Sequence, residues 1–157
     1  MSDLNLFWSK ALGRNSESTH PYAINVNDDQ SVFVTSNNTI SKFNPNGSQA
    51  WKKTFEDNPE NSFNSNSNTQ VDIKSIHAID SDSQGSIYIC GYIEAWNKQL
   101  NHRGQGVTTL QGTDSFISKL NKNGETLWTK RLNTSGFNTE DKAFGITVAS
   151  DNEIYIT

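Results

Sequence analysis

The sequence of 157 residues is poor in the residues that support several common kinds of site. It has one cysteine and three histidines, and apolar residues make up only 32% of it. The single thiol, Cys90, cannot form an internal disulfide, and we expect it to be a small buried side chain in a strand. The histidines have no metal-like spacing with each other or with Cys90, so a zinc site is not expected.

Charge and hydropathy argue against two further classes of protein. The net charge is −4 and no cluster of Lys and Arg forms a basic stripe, so we do not expect nucleic acid as a partner. No apolar run approaches the roughly 20 residues that a membrane-spanning helix needs. The first residues lack a basic start and a long apolar segment, so we expect no secretory signal in the sequence as it stands.

Motifs of hydrolases and nucleotide-binding proteins are also missing. Neither Gly-x-Ser-x-Gly, His-Glu-x-x-His nor a phosphate-binding loop occurs in the sequence. The carboxylates are scattered over turns, which leaves a paired-carboxylate glycosidase open but without positive support. We therefore expect no catalytic residues, and predict that the chain is not an enzyme.

The sequence does contain many short stretches with β-strand patterning. Residues 31–35, Ser-Val-Phe-Val-Thr, are β-branched and aromatic, and residues 44–47, Asn-Pro-Asn-Gly, are a strong turn signal. No segment of 11 or more residues has a period of 3.6, so we expect essentially no long helix. The pattern predicts an all-β protein.

A repeat organises these strands. The pattern Trp-x-Lys-x-Leu/Phe begins at Trp8, Trp51 and Trp128, with intervals of 43 and 77 residues. Removing two insertions, of 12 and 22 residues, brings the second interval to 43 as well. Four strands in about 43 residues match one blade of a β-propeller, whose repeat is roughly 40–50 residues. We assign a structural role to the aromatic residues of the repeat: Trp8, Trp51, Trp128, Phe33, Tyr88 and Tyr155.

The repeat predicts one β-propeller segment, made of four-stranded antiparallel blades, over residues 1–157. It comprises an unaccompanied outer strand at 6–12, whole blades at 22–55 and 73–132, and a partial blade at 143–157. Two whole blades cannot close a ring, which needs at least about four. We therefore hypothesise that the chain is part of a longer protein, and expect its partners to be the remaining blades of the same propeller or another copy of the chain.

The two insertions are expected to be loops. Residues 57–70 are rich in Asn and Ser, and this composition predicts a mobile segment. Residues 95–112 contain Trp96 and Arg103, which become candidate binding residues because loops on a rigid scaffold often carry function. The alternative, which we favour, is that Trp96 packs back over the edge of the blade.

Residues 80–85, Asp-Ser-Asp-Ser-Gln-Gly, make a weak candidate for a metal site. Asp80 and Asp82 would supply oxygen ligands for calcium at alternate positions, but a third acidic residue and a later Glu are missing. Similar Asp-containing turns recur at the same place in the other repeats. We therefore favour a hairpin turn, with weak calcium binding as the alternative, and expect no other cofactor.

Residues 114–128 and 141–157 resemble the SBBP family of seven-bladed β-propeller repeats. The shared pattern is D-x-F-[VI]-x-K, an Asn-Gly turn, L-W-x-x-x-L, and then x-[IV]-Y-[VI]-x-G; residues 40–51 and 76–91 each match one half of it. The first copy departs from it, with Ser36 in place of the final glycine. The resemblance implies a bacterial, secreted or surface-attached protein, mostly without a known catalytic role.

The expected function is accordingly a non-catalytic binding or interaction scaffold. Its ligand would be an unidentified protein or carbohydrate. The Asn-Gly-x-x-x-Trp element is also similar to the tryptophan docking motif of quinoprotein dehydrogenases, in which the tryptophan packs between blades and does no chemistry. A propeller enzyme, quinoprotein-like or hydrolytic, with its active site mostly outside these residues, is the alternative.

Overall fold

A computed structural model of the chain describes residues 8–10, 20–55, 69–100, 106–132, 140–151 and 153–157. Ten strands and no helix are found among them, so no helix in this part of the chain is long and apolar enough to cross a membrane. The strands are β1 (Pro21–Val26), β2 (Val32–Ser36), β3 (Thr39–Phe43), β4 (Gln49–Thr54), β5 (Thr69–Ser81), β6 (Ile87–Leu100), β7 (Gly106–Leu120), β8 (Thr126–Leu132), β9 (Ile146–Val148) and β10 (Ile154–Ile156).

The strands form three antiparallel sheets in chain order. The first sheet contains β1 to β4, the second contains β5 to β8, and the third contains β9 and β10. Each strand pairs with its sequence neighbour, as consecutive strands joined by short turns usually do. The predicted all-β class with four-stranded antiparallel sheets is confirmed.

The turns from β3 to β4 and from β7 to β8 have the same hydrogen bonds. In the turn from β3 to β4, the N–H of Asn44 donates to the carbonyl of Ser48, and the N–H of Gly47 donates to the carbonyl of Asn44. The turn from β7 to β8 repeats both bonds at Asn121 and Gly124. Gly47 and Gly124 have φ values of 79° and 84°, a left-handed conformation that glycine adopts without steric cost. This is why both turns carry Asn-Gly.

The repeat places the same kinds of residue opposite one another in the two complete sheets. The paired rows across the strands are Asn25, Phe33, Lys42 and Trp51 in the first sheet, and Asp80, Tyr88, Lys119 and Trp128 in the second. In each row the lysine amine lies over an aromatic ring, 5.2 Å from the centroid of Phe33 and 4.8 Å from that of Tyr88. Cation–π attraction of this kind keeps a charge inside a mostly apolar row.

Most of the core lies between the first two sheets. Buried side chains of the first sheet, such as Phe33 and Ile40, pack against isoleucines of β5 and β6, such as Ile79 and Ile89. The opposite face of the first sheet is open, and Ile24 is 68% exposed there. A cleft of about 490 Å³, lined by Trp8 and by residues of β1 to β3, lies on this face.

Trp51 fastens the first sheet to the second. Its ring lies against the turn at Gly124, where a Cβ atom would stand 3.2 Å from the nearest ring carbons. The amine of Lys53 donates a hydrogen bond of 3.0 Å to the carbonyl of the same glycine. The glycine thus serves both the turn and the docking of the ring.

Trp8 makes the equivalent contact with the first sheet. Its ring lies against the turn at Gly47, and its Nε1–H donates to the carbonyl of Pro45 at 3.1 Å. The two tryptophans therefore use the same rule: each ring packs on the Asn-Gly turn of the sheet that follows it in the chain.

Two expectations from the sequence differ from the structure. Residues 8–10 belong to no strand, whereas a strand was expected over 6–12; its other residues lie outside the described ones. Residues 95–112 were expected to be a loop, but they extend β6 to Leu100 and begin β7 at Gly106. The two inserted segments pair with each other across the hairpin, which the repeat pattern alone could not indicate. Of the expected loop 57–70, residues 69–70 belong to β5 and the remainder lies outside the described chain.

The docking of Trp51 predicts unequal roles for the repeat tryptophans. We expect Trp51→Ala to lower the free energy of unfolding by about 2 kcal/mol or more, because a half-buried ring and its contact with Gly124 are lost. Trp128→Ala is the matched control, and we expect at most half that loss, since no glycine turn meets its ring in the described chain. Urea titration measures both, and equal losses would contradict this assignment.

Candidate functional site

We call the first strand of each sheet its inner strand. Each has an irregularity in it or just before it at the same place in the repeat, and β5 has a second one at Lys74. In β1 the pairing with β2 shifts by one residue at Tyr22, and in β5 the pairing with β6 shifts by one residue at His77. In the third sheet the N–H groups of Phe144 and Gly145 both donate to the carbonyl of Thr157, at 2.7 and 3.2 Å. Each is a β-bulge, in which two residues face one. The extra residue is an aromatic ring in all three.

The three bulges bring their rings together. The centroids of Tyr22 and His77 are 5.3 Å apart, and those of His77 and Phe144 are 4.7 Å apart with an angle of 12° between the ring planes. Tyr92, from β6, adds a fourth ring at 5.4 Å from His77. We call these four residues the aromatic row. It crosses the inner strands of all three sheets, so one surface is built from three repeats.

The aromatic row is open to solvent although its rings are held in place. Tyr22 is 50% exposed and Phe144 is 65% exposed. The Nδ1 atom of His77 lies 3.0 Å from the carbonyl oxygen of Ala143, which fixes the ring. Half-exposed aromatic rings in a fixed arrangement are typical of recognition surfaces, because they offer flat apolar area at little cost in side-chain entropy.

Gly91 is the residue that lets the second bulge form. It pairs with Ile76, immediately before His77. A Cβ atom at Gly91 would stand 1.9 Å from the carbonyl oxygen of Ser75, a distance that no packing adjustment could relieve without moving the backbone. The bulged strand and its partner therefore approach each other only because this side chain is absent.

The three inner strands are joined by a single carboxylate, that of Asp80. Its Oδ1 accepts hydrogen bonds from the side chain of Asn25, in the first sheet, at 2.9 Å, and from the N–H of Ser81 at 2.8 Å. Its Oδ2 accepts from the N–H of Val148, in the third sheet, at 2.8 Å, and from the hydroxyl of Thr147 at 3.2 Å. Hydrogen bonds are directional, so these four help to fix the positions of the three sheets relative to one another.

Asp82, the second candidate metal ligand, is 6% exposed and bonded to its own hairpin. Its Oδ1 accepts from the N–H groups of Gln84 and Ser86, and its Oδ2 accepts from the hydroxyl of Tyr88 at 3.1 Å. The amine of Lys119 is 3.6 Å away. Burial opposes ionisation of Asp82, but these hydrogen bonds and the lysine charge outweigh it and hold the pKa of the carboxyl below its usual value.

Asp82 stabilises the hairpin turn in which it lies by accepting hydrogen bonds from its backbone N–H groups. The side chain of Asn121 accepts in the same way from the N–H groups of Asn123 and Glu125 in the next hairpin. The oxygens of Asp80 and Asp82 are thus engaged by protein donors, and no group of three metal-ligating side chains occurs among the described residues. The geometry favours the hairpin turn over the calcium site.

Burial changes the pKa of two other ionisable side chains, Asp114 and Cys90. Asp114 is 1% exposed; burial raises the pKa of its carboxyl, against the opposing charge of Arg131, with which it forms an ion pair. Burial also raises the pKa of the Cys90 thiol to about 11. This leaves Cys90 protonated at neutral pH and unreactive as a nucleophile, and its burial agrees with the expectation from the sequence.

Of the candidate binding residues in the insertion, only the backbone of Trp96 is described. Trp96 belongs to β6, where its backbone pairs with Gln70 and Leu110. The side chain of Trp96 and the whole of Arg103 lie outside the described residues.

The sequence nevertheless held a signal for the aromatic row. Tyr22, His77 and Phe144 each precede the small residue that stands 10 positions before the aromatic residue of the second strand. Aligning the repeats would have shown a ring at this position three times. It was missed because the register of a bulge cannot be seen in strand patterning.

Comparisons with known proteins identify no family. No family model matches the chain, and no curated protein matches it. Among solved structures, a Bacteroides caccae protein described as of unknown function matches with 8% sequence identity and a TM-score of 0.36. The match covers 90% of this chain and 54% of that one, so the chain spans about half the length of the structure it resembles.

The engagement of Asp80 and Asp82 predicts that calcium does not stabilise the protein. We expect the same thermal midpoint with millimolar Ca²⁺ as with a chelator, because a ligand that binds the folded state raises the midpoint. Asp82→Asn is the control for the site: it should lower the midpoint equally in both solutions by disturbing the hairpin. A rise on adding Ca²⁺ that disappears in Asp82→Asn would show a calcium site.

Proposed function

We propose that the chain is a β-propeller repeat region that acts as a non-catalytic binding scaffold, with the aromatic row as its binding surface. The observation that carries the proposal is the recurrence of one bulge in three sheets, each time with an aromatic ring at the extra position. Bulges re-aim side chains and are frequent beside functional sites. The repetition of the bulge, with its rings in contact and partly exposed, supports the assignment of the aromatic row as a ligand-binding surface.

The proposal that the chain is not a catalyst is supported by the hydrogen bonds and ion pairs of its buried carboxylates. Asp82 is satisfied by its hairpin and by Lys119, and Asp114 is paired with Arg131. A general acid or base needs a free position from which to reach a substrate.

The open face of the first sheet supports a propeller with further blades. Ile24 is 68% exposed, whereas Ile79, at the equivalent place in the second sheet, is 7% exposed because the first sheet covers it. The repeat thus indicates how the open face is covered: by a sheet of the same kind, either from the same propeller or from another copy of the chain. The resemblance to SBBP repeats supports a bacterial surface or secreted protein as the setting.

The proposal predicts that the exposed rings of the aromatic row contribute little to stability. We expect Tyr22→Ser and Phe144→Ser to change the thermal midpoint by no more than about 2 °C, since surface substitutions stay within roughly 0.5 kcal/mol. Phe33→Ser is the control, because this aromatic residue is fully buried, and it should abolish cooperative melting or lower the midpoint severely.

Thermal melts followed by circular dichroism measure the midpoints of the three variants. If Tyr22→Ser or Phe144→Ser lowered the midpoint as much as Phe33→Ser, the aromatic row would be part of the packed core. The aromatic row would then lose its role as the binding surface.

A further inference from the structure

The aromatic row has a surface chemistry that selects among classes of ligand. Near it, the amine of Lys142 lies 5.0 Å from the ring centroid of Tyr92 and 3.8 Å from a carboxylate oxygen of Glu140. The cation is therefore balanced by an anion, and the chain as a whole carries −4. Proteins that stack nucleobases on aromatic rings also need cations along the phosphates. The charges around the row thus disfavour a nucleic acid.

The arrangement of the rings disfavours proline-rich peptides. Such peptides dock into grooves between aromatic side chains. In the aromatic row His77 and Phe144 stack on each other, at 4.7 Å and 12°, so no slot separates them. A ligand therefore has no groove to enter between these two rings, and it meets their outward faces and edges.

A sugar ring is complementary to a surface of this kind. One face of a pyranose presents C–H groups that pack on a flat aromatic ring, while its hydroxyl groups project from the edge and need hydrogen-bonding partners. The row provides both components. The rings of Tyr22 and Phe144 are half-exposed, and the polar groups are the hydroxyls of Tyr22 and Tyr92 and the amine of Lys142, which lies over the ring of Tyr92.

We infer that the aromatic row binds a neutral oligosaccharide chain. This inference rests on the proposed function, since it names the ligand class of the same surface. The row contains a ring from each of the three sheets, with neighbouring ring centroids 5.3 and 4.7 Å apart, so successive sugar units of one chain can each meet a ring. Binding should strengthen with the length of the chain, and each exposed ring should contribute separately.

Isothermal titration calorimetry of the chain with neutral hexasaccharides tests the inference. The probes are cellohexaose, N-acetylchitohexaose, maltohexaose and xylohexaose, each compared with its disaccharide. We expect at least one hexasaccharide to bind more tightly than its disaccharide. Phe144→Ala and Tyr22→Ala should each weaken that binding by about tenfold, as the loss of an aromatic contact does.

Two control variants distinguish the loss of an aromatic contact with the sugar from a nonspecific effect of substitution on the fold. Phe144→Trp keeps a flat ring and should keep the affinity within about threefold. Tyr155→Ala removes a ring that is 55% exposed but lies outside the aromatic row, and it should leave the affinity unchanged.

Two results would overturn the inference. The first is that none of the hexasaccharides binds at millimolar concentration while the variants melt like the parent chain. The second is that binding occurs but is unaffected by Phe144→Ala. A proline-rich peptide that binds in their place, with the same dependence on Phe144, would refute the carbohydrate and retain the scaffold. Failure of the melting experiment would instead remove the proposed binding surface itself.

Discussion

The carboxylate of Asp80 is the contact on which the arrangement of the sheets depends. Four donors from three sheets converge on its two oxygens, and the partners beyond its own strand are Asn25 in β1 and the pair Thr147 and Val148 in β9. Packing between sheets sets their separation but tolerates sliding, because apolar contacts have no preferred direction. Hydrogen bonds are directional, so those of Asp80, together with the bonds from the N–H of Ile76 to the carbonyl of Asn37 and from the N–H of Ala143 to the carbonyl of Gly91, set how far each inner strand is displaced along its neighbour. That displacement decides whether the rings of the bulges meet.

The β-bulges bring aromatic rings from successive sheets into contact and so form the aromatic row. In a regular strand successive side chains alternate between the two faces of the sheet, and a ring at position 22 would belong to one of them. One extra residue breaks the alternation, and the ring of Tyr22 reaches His77 in the next sheet, which in turn stacks on Phe144. Since each repeat makes the same break at the same place, the rings of successive sheets come into contact. A feature that would be a local defect in one sheet thereby becomes a continuous row.

Most of the fold could be predicted from the sequence, and most of the site could not. Strand alternation, Asn-Gly turns and the period of about 43 residues indicated four-stranded antiparallel units, because these signals are local and repeated. The extension of β6 and β7 through residues 95–112 was missed because an insertion has no second copy to compare. Calcium binding by Asp80 and Asp82 stayed an alternative to the favoured hairpin turn, because sequence shows donor atoms but not the N–H groups bound to them. The aromatic row was missed because a bulge changes the pairing register while leaving composition and patterning unaltered.

Solution NMR tests most directly whether Asp80 holds the rings in contact. The measurement is the set of nuclear Overhauser effects from the ring protons of His77 to those of Tyr22 and of Phe144, in the parent chain and in Asp80→Ala. We expect both sets in the parent chain and the loss or marked weakening of both in Asp80→Ala, while cross-strand effects within the second sheet persist. Retention of both sets at full strength in Asp80→Ala would contradict this expectation, since the rings would then meet without the carboxylate.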